Sequence, residues 1–172
     1  MIGGPEIEPS QYFVLDTSSL IKVREVVSVT SLARVQKKLS ALVDSGELLF
    51  PAEVVDELER HERRHDPILD WVRATRPTAT RFCPQYESLR KVLEHPIARL
   101  VLDSDKASGS DEAYPHVLAL AISLKERAEV TVITEETKDR PGHVSMTTAC
   151  GVLRLVRVPM EAFLIERKIW PT

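Results

Sequence analysis

Hydrophobic positions switch between short unbroken runs and helically spaced stripes. Tyr12-Phe13-Val14-Leu15 is an apolar run of strand length, stopped by Asp16-Thr17-Ser18-Ser19. An unbroken run of this kind predicts a strand buried on both faces, and the polar residues after it predict a capped turn into a helix. From Thr30 to Ser45 the apolar residues Leu32, Val35, Leu39, Leu42 and Val43 fall at helical spacing, and Gly46 stands where a helix C-cap is wanted. Leu48-Leu49-Phe50 predicts a second strand, and Pro51 suits the first turn of the next helix. There Val54, Val55 and Leu58 face inward, with Glu53, Glu57 and the run from Glu59 to Arg64 off that face.

Between Pro67 and Ser110 the pattern is less regular. Ile68, Leu69, Trp71 and Val72 predict a helical turn or more after Asp66-Pro67; Leu89, Val92 and Leu93 predict another, Ile97 to Leu102 a third, and Asp103 to Ser110 a loop. Ala113 to Arg127 is the strongest helix, small and aliphatic on its buried sides. The β-branched run Val130-Thr131-Val132-Ile133 predicts a strand ending at Thr134-Glu135-Glu136. Gly151 closes a short helix, Leu153–Val158 is the last predicted strand, and Pro159 to Arg167 the last helix.

Alternating strands and helices predict an α/β fold: a central, mainly parallel sheet covered by helices on both faces, spanning residues 12–167 as one domain, with residues 1–11 as a flexible tail. Ligands of such sheets sit beyond the carboxyl ends of the strands. Two predicted strands end directly in carboxylates, the first at Asp16 and the third at Glu135-Glu136.

Composition narrows the picture. With 172 residues, 43% hydrophobic and 28% charged, the chain can build one real core and is neither disordered nor a coiled-coil rod. Its longest apolar run, Val117–Leu124, is far too short to span a bilayer, and its Gly/Pro/Glu-rich start does not resemble a signal peptide. Cys83 and Cys150 make neither a disulfide framework nor a metal-type pair, so both are expected in the core of a cytoplasmic protein. Twenty-three basic residues against 26 acidic ones give a net charge of −3. Bulk attraction to phosphates is therefore excluded as the basis of nucleic-acid binding, and carboxylates gathered around a cation fit better.

No phosphate-cradling glycine loop and no Gly-x-Ser-x-Gly elbow occurs. His61-Glu62-Arg63-Arg64-His65 matches the His-Glu-x-x-His spacing of zinc peptidases. Two arginines would then flank a dication, and Pro67 ends the helix two residues later, so a solvated, charged helix end is the better reading. A lone Asp after a strand is equally ordinary, since Asp is a common N-cap. The combination carries more: Asp16-Thr17-Ser18 after one strand, Val54-x-x-Glu57 on the helix after the second, and Thr134-Glu135-Glu136 after the third.

These residues resemble the PIN-domain family of metal-dependent nucleases, which includes many bacterial and archaeal toxins. Asp16-Thr17-Ser18 resembles its first motif, and Pro51-x-x-Val54-x-x-Glu57-Leu58 its second. The third is echoed by Ala113-Tyr114-Pro115 and the aliphatic helix that follows, and the fourth by Val132-Ile133-Thr134-Glu135-Glu136. The segment from Val144 through Cys150-Gly151-Val152 to Pro159 and Phe163 is similar to a PIN branch known mainly as uncharacterised. One departure stands out: the third motif's aspartate falls on Tyr114, with Asp111 and Glu112 just upstream.

The resemblance implies a Rossmann-like, three-layer α/β/α sandwich and an endoribonuclease dependent on Mg²⁺ or Mn²⁺. It implies Asp16 as central metal ligand, joined by Glu57, Asp111 and Glu136 directly or through water, with Glu135 open as the alternative to Glu136. Thr17, Ser18 and Thr134 would orient ligands or waters. Hard dications take oxygen ligands, which suits an all-carboxylate site. The implied partners are an RNA substrate and, for a toxin, a small DNA-binding antitoxin; a homodimer stays open. The rival expectation, favoured by Tyr114, is a catalytically inactive PIN-like module that binds RNA or a partner protein.

Overall fold

The computed structural model describes residues 8–61, 66–102 and 113–170. Four strands, β1 (Gln11–Leu15), β2 (Leu48–Leu49), β3 (Glu129–Ile133) and β4 (Val156–Val158), form one sheet in the order β2-β1-β3-β4, with every pairing parallel. Eight helices flank it among the described residues: α1 (Thr17–Val26), α2 (Val29–Asp44), α3 (Ala52–His61), α4 (Pro67–Ala79), α5 (Tyr86–Glu94), α6 (Ala113–Lys125), α7 (Met146–Val152) and α8 (Met160–Glu166). The α/β class and the parallel, three-layer sandwich expected from the sequence are what the chain adopts. No helix among the described residues is long and apolar enough to cross a membrane.

Successive side chains of a strand point to opposite faces, and β1 shows why its run is apolar throughout. The Phe13 ring packs on Phe163 of α8, centroids 4.9 Å apart, while its neighbour Tyr12 meets Phe82 edge-on at 6.3 Å on the other face. Tyr12, Val14 and Leu15 are wholly buried. The core continues through Leu48, Phe50, Val54 and Leu58 on one side of the chain and Leu118, Leu120 and Val132 on the other.

Strand order decides where a site can form. From β1 the chain runs outward to β2, then returns to place β3 on the other flank of β1 and β4 beyond it. The connections therefore leave in opposite directions at the β1–β3 pair, opening a crevice beyond the carboxyl ends of these strands. Asp16 follows β1 and Thr134 follows β3, so both stand at that crevice.

Some local expectations are corrected. The helical turn or more expected after Pro67 is present and extends to a 13-residue helix, α4, started by Asp66, whose carboxylate accepts from Ile68 N–H at 2.8 Å, and anchored by buried Ile68, Leu69, Trp71 and Val72. The helix expected over Ile97 to Leu102 is a single 3₁₀ turn, Ala98–Val101. The last strand is shorter than expected because Arg154, at φ 56°, turns the chain before Val156. Cys83 is exposed, whereas Cys150 is in the core as expected.

Candidate functional site

Asp16 is fully buried and accepts three hydrogen bonds. Its Oδ1 takes the Ser19 N–H at 2.8 Å, capping α1, and the Ser18 hydroxyl at 2.7 Å; its Oδ2 takes the Thr134 hydroxyl from the end of β3. Each hydroxyl is itself held by a backbone donor: Glu135 N–H donates to Ser18 Oγ at 3.0 Å, and Glu136 N–H to Thr134 Oγ1 at 3.2 Å. Two chains of backbone N–H, hydroxyl and carboxylate thus converge on Asp16, each link polarising the next. The Asp16 N–H also donates to Ile133 C=O at 3.3 Å. The first and fourth motifs read from the sequence are therefore one constellation.

Burial pushes the Asp16 carboxyl up to about 6, against the pull of the bonds from Thr134, Ser19 and Ser18. The group is mainly ionised at neutral pH, but at a desolvation cost that a nearby cation would relieve. Thr17 Oγ1, on the next residue, is buried with no partner among the described residues. Cys150 of α7 feels the same carboxylate: its thiol is pushed up to about 12, first by burial and then by Asp16, with Arg157 opposing. It is therefore held neutral, an inert wall rather than a nucleophile or soft ligand. Arg157 Nη1 donates to the Thr134 carbonyl at 3.4 Å, setting a cation behind the site.

Glu57 departs from its expected place off the inward face of its helix: it is buried, at 5% exposure. Its Oε2 accepts from the Ala113 N–H at 3.2 Å, at the first residue of α6, where unpaired N–H groups and the helix dipole favour an anion. The second and third motifs are thereby joined as well. One turn away on each helix, Glu53 Oε1 lies 3.2 Å from His116 Nδ1. Tyr114 is packed in the core at 7% exposure. Asp111, Glu112 and His65 lie outside the described residues.

The acids after β3 are engaged as helix caps. Glu135 Oε1 accepts from Met160 N–H at 2.6 Å, the first residue of α8. Glu136 Oε2 accepts from Met146 N–H at 3.3 Å at the start of α7, and its Oε1 meets His143 Nε2 at 2.9 Å. His143 is itself buried, its Nδ1 without a partner among the described residues. Both carboxylates thus point at helix starts, and of the two residues' side chains and backbones only the N–H groups reach toward Asp16, through Ser18 and Thr134. Among the described residues no group of three or more His, Cys, Asp or Glu side chains could hold a metal. Sequence reasoning missed Ser19, Cys150, Arg157 and His143. Ser19 alone had a local signal, as the third residue after a capping Asp.

The family model for a domain of unknown function, DUF4411, matches residues 13–169, from within β1 to just beyond α8. The chain belongs to this family. No curated protein and no solved structure matches it. Within the matched span lie the Asp16 constellation, Glu57 and both helix-capping glutamates.

Proposed function

We propose that this member of the family is a metal-dependent endoribonuclease of PIN-like type, cutting RNA phosphodiester bonds at the β1–β3 crevice. The observation that carries the reading is Asp16: a fully buried carboxylate at the topological switch point, oriented by hydroxyls from two separate strand ends. A purely structural N-cap needs one accepted bond and is seldom buried so completely. Glu57, a second buried carboxylate, supports the same reading.

The donor chemistry fits Mg²⁺ or Mn²⁺. Asp16 retains lone-pair capacity beyond its three bonds, Thr17 offers a buried hydroxyl with no partner among the described residues, and the Cys150 thiol is held protonated. Asp16 would hold the ion, with Glu57, Asp111 and Glu136 as the further carboxylates that the resemblance supplies, bound directly or through water. Such an ion, when bound, polarises the phosphate and acidifies a water. The chain's own part is orientation. Ser18 and Thr134 fix the plane of the Asp16 carboxylate, the Glu135 and Glu136 N–H groups fix the hydroxyls, and Arg157 and Cys150 close the floor. A toxin role, with a small DNA-binding antitoxin as partner, belongs to this proposal.

A second reading has its own support. Glu135 and Glu136 are both consumed by helix starts, and the third-motif acid is replaced by buried Tyr114. This favours a PIN-like module that binds RNA or a partner protein without cutting. Incubating a fluorogenic RNA with the protein in Mg²⁺ or Mn²⁺ separates the two. Cleavage that chelator abolishes and Asp16→Asn lacks supports the nuclease; RNA binding without cleavage in either metal supports the module.

A further inference from the structure

The loop that leaves the site after β3 sorts its charges. Residues 135–140 read Glu-Glu-Thr-Lys-Asp-Arg, three acids against two bases, a sequence with no net attraction for an anion. In the fold each acid is turned onto donors at a helix start. Glu135 accepts from Met160 N–H, Glu136 from Met146 N–H, and Asp139 from Ser145 N–H and the Thr148 hydroxyl, both at 2.8 Å. These starts carry the positive end of α7 or α8 and offset the carboxylates. Thr137, Lys138 and Arg140 are exposed, and Lys138 makes no hydrogen bond or ion pair among the described residues. Lys138 is thus the loop's unmatched charge.

The same loop is braced along its length. Arg140 and His143 exchange backbone hydrogen bonds at 2.9 and 3.0 Å around a turn at Pro141-Gly142, where Gly142 takes φ 73°. Val144 N–H donates to Leu100 C=O at 3.0 Å, and Thr147 donates to Glu136 C=O through its N–H at 3.2 Å and its hydroxyl at 2.8 Å. Both ends of the loop belong to the site: Thr134 donates to Asp16 at one, and Cys150 of α7 feels that carboxylate at the other. Residues 137–142 are all exposed, yet the chain through them is held to one path. Such a loop has little conformational entropy left to lose on binding, so it is preorganised for a ligand.

We propose that this loop is where the crevice holds the RNA backbone, with Lys138 paired to a phosphate of the bound strand. An ammonium on a flexible stem meets a phosphate as a point charge, without the bidentate geometry that would fix one base or one register. With a net charge of −3 the chain has no general attraction for a polyanion, so a cation placed at the site carries a larger share of the affinity. The proposal rests on RNA as the ligand of the β1–β3 crevice, and it holds whether the strand is cut or only bound.

Fluorescence anisotropy of a labelled single-stranded RNA with the full chain, in chelator and across a potassium chloride series, tests it. The parent's affinity should fall linearly on a log–log plot as counterions compete. Lys138→Gln should weaken binding severalfold at low salt, equally for RNAs of different sequence, and reduce the slope by about 0.7. Lys138→Arg should keep both affinity and slope, and the melting temperature should be the same in all three proteins. Unchanged affinity in Lys138→Gln, or weaker binding with the parent's slope, overturns the proposal and leaves the nuclease reading to stand or fall by Asp16→Asn. A parent that binds no RNA at low salt also overturns it, whereas metal-dependent cleavage by that same parent would still uphold the nuclease.

Discussion

Asp16→Asn should make the protein more stable at pH 7.5 while removing any metal-dependent chemistry. Burial pushes the native carboxyl up to about 6, from an ordinary value of 3.8. Below about pH 4 the group is protonated in both the folded and unfolded chains and costs nothing. As pH rises toward 6, the unfolded chain releases its proton first, so folding must carry the group protonated or bury a charge. Stability is thus lost across that interval, and above about pH 6 the full penalty is present. Roughly two pKa units at about 1.4 kcal/mol each set it near 3 kcal/mol. Asparagine removes this charge penalty but offers one acceptor oxygen to three donors. Thr134 can turn its hydroxyl to accept from the new amide, and one weakened bond costs about 1–2 kcal/mol.

The expected net gain for Asp16→Asn is therefore about 1–2 kcal/mol at pH 7.5, or roughly 2–8 °C in melting temperature for a chain of this size. At pH 4 the gain should vanish or turn into a loss, because only the weakened hydrogen bond remains. Thermal melts of both proteins at the two pH values, in chelator, measure the difference. A variant equally destabilised at both would refute the claim that burial of the charge dominates. Repeating the pH 7.5 melts with Mn²⁺ adds the functional half: the parent should gain stability with metal concentration, and the asparagine variant should not.

Four further variants probe separate parts of the argument. Glu136→Ala removes the acceptor of Met146 N–H and the partner of buried His143, so urea unfolding should show a loss of about 1–2 kcal/mol; an unchanged midpoint would deny its capping role. Phe163→Ala deletes the ring packed on Phe13 and should cost about 3–5 kcal/mol, read from the same denaturation curves. Tyr114→Asp should tighten Mn²⁺ binding in a calorimetric titration if residue 114 belongs to the metal site; unaltered affinity places it in the core alone. His61→Ala combined with His65→Ala should leave metal content unchanged, whereas loss of stoichiometric zinc together with a peptidase activity would revive the zinc-peptidase reading.

Much of the fold could be read from the chain because its strands are buried on both faces. Tyr12–Leu15 is an unbroken apolar run and Val130–Ile133 a β-branched one for that reason, and polar residues mark the end of each. The middle was harder, since α4 places Ile68, Leu69, Trp71 and Val72 in its first two turns, carries Pro77 inside its last turn and buries only Ala79 at its end, a pattern that understates its length. Strand order was not legible at all. Pairing of β1 with β3 depends on contacts between residues more than a hundred positions apart, and no local pattern records it. Yet that pairing brings the Thr134 hydroxyl onto Asp16.

The same limit explains the divided fate of the acidic residues. Asp16 and Glu136 look alike in sequence, each an acid close after a strand. They differ in what surrounds them once folded. Glu136 meets a helix start and a histidine, which engage both of its carboxylate oxygens. Asp16 meets only neutral donors, two hydroxyls and one N–H, so its buried charge is solvated by dipoles but matched by no cation in direct contact. Capping alone would be served as well by a neutral Asn or Ser at far lower desolvation cost. An ionised carboxylate kept in that position is stabilising only when a cation joins it, which is why the pH-dependent stability of Asp16→Asn, measured with and without Mn²⁺, bears directly on what the site is for.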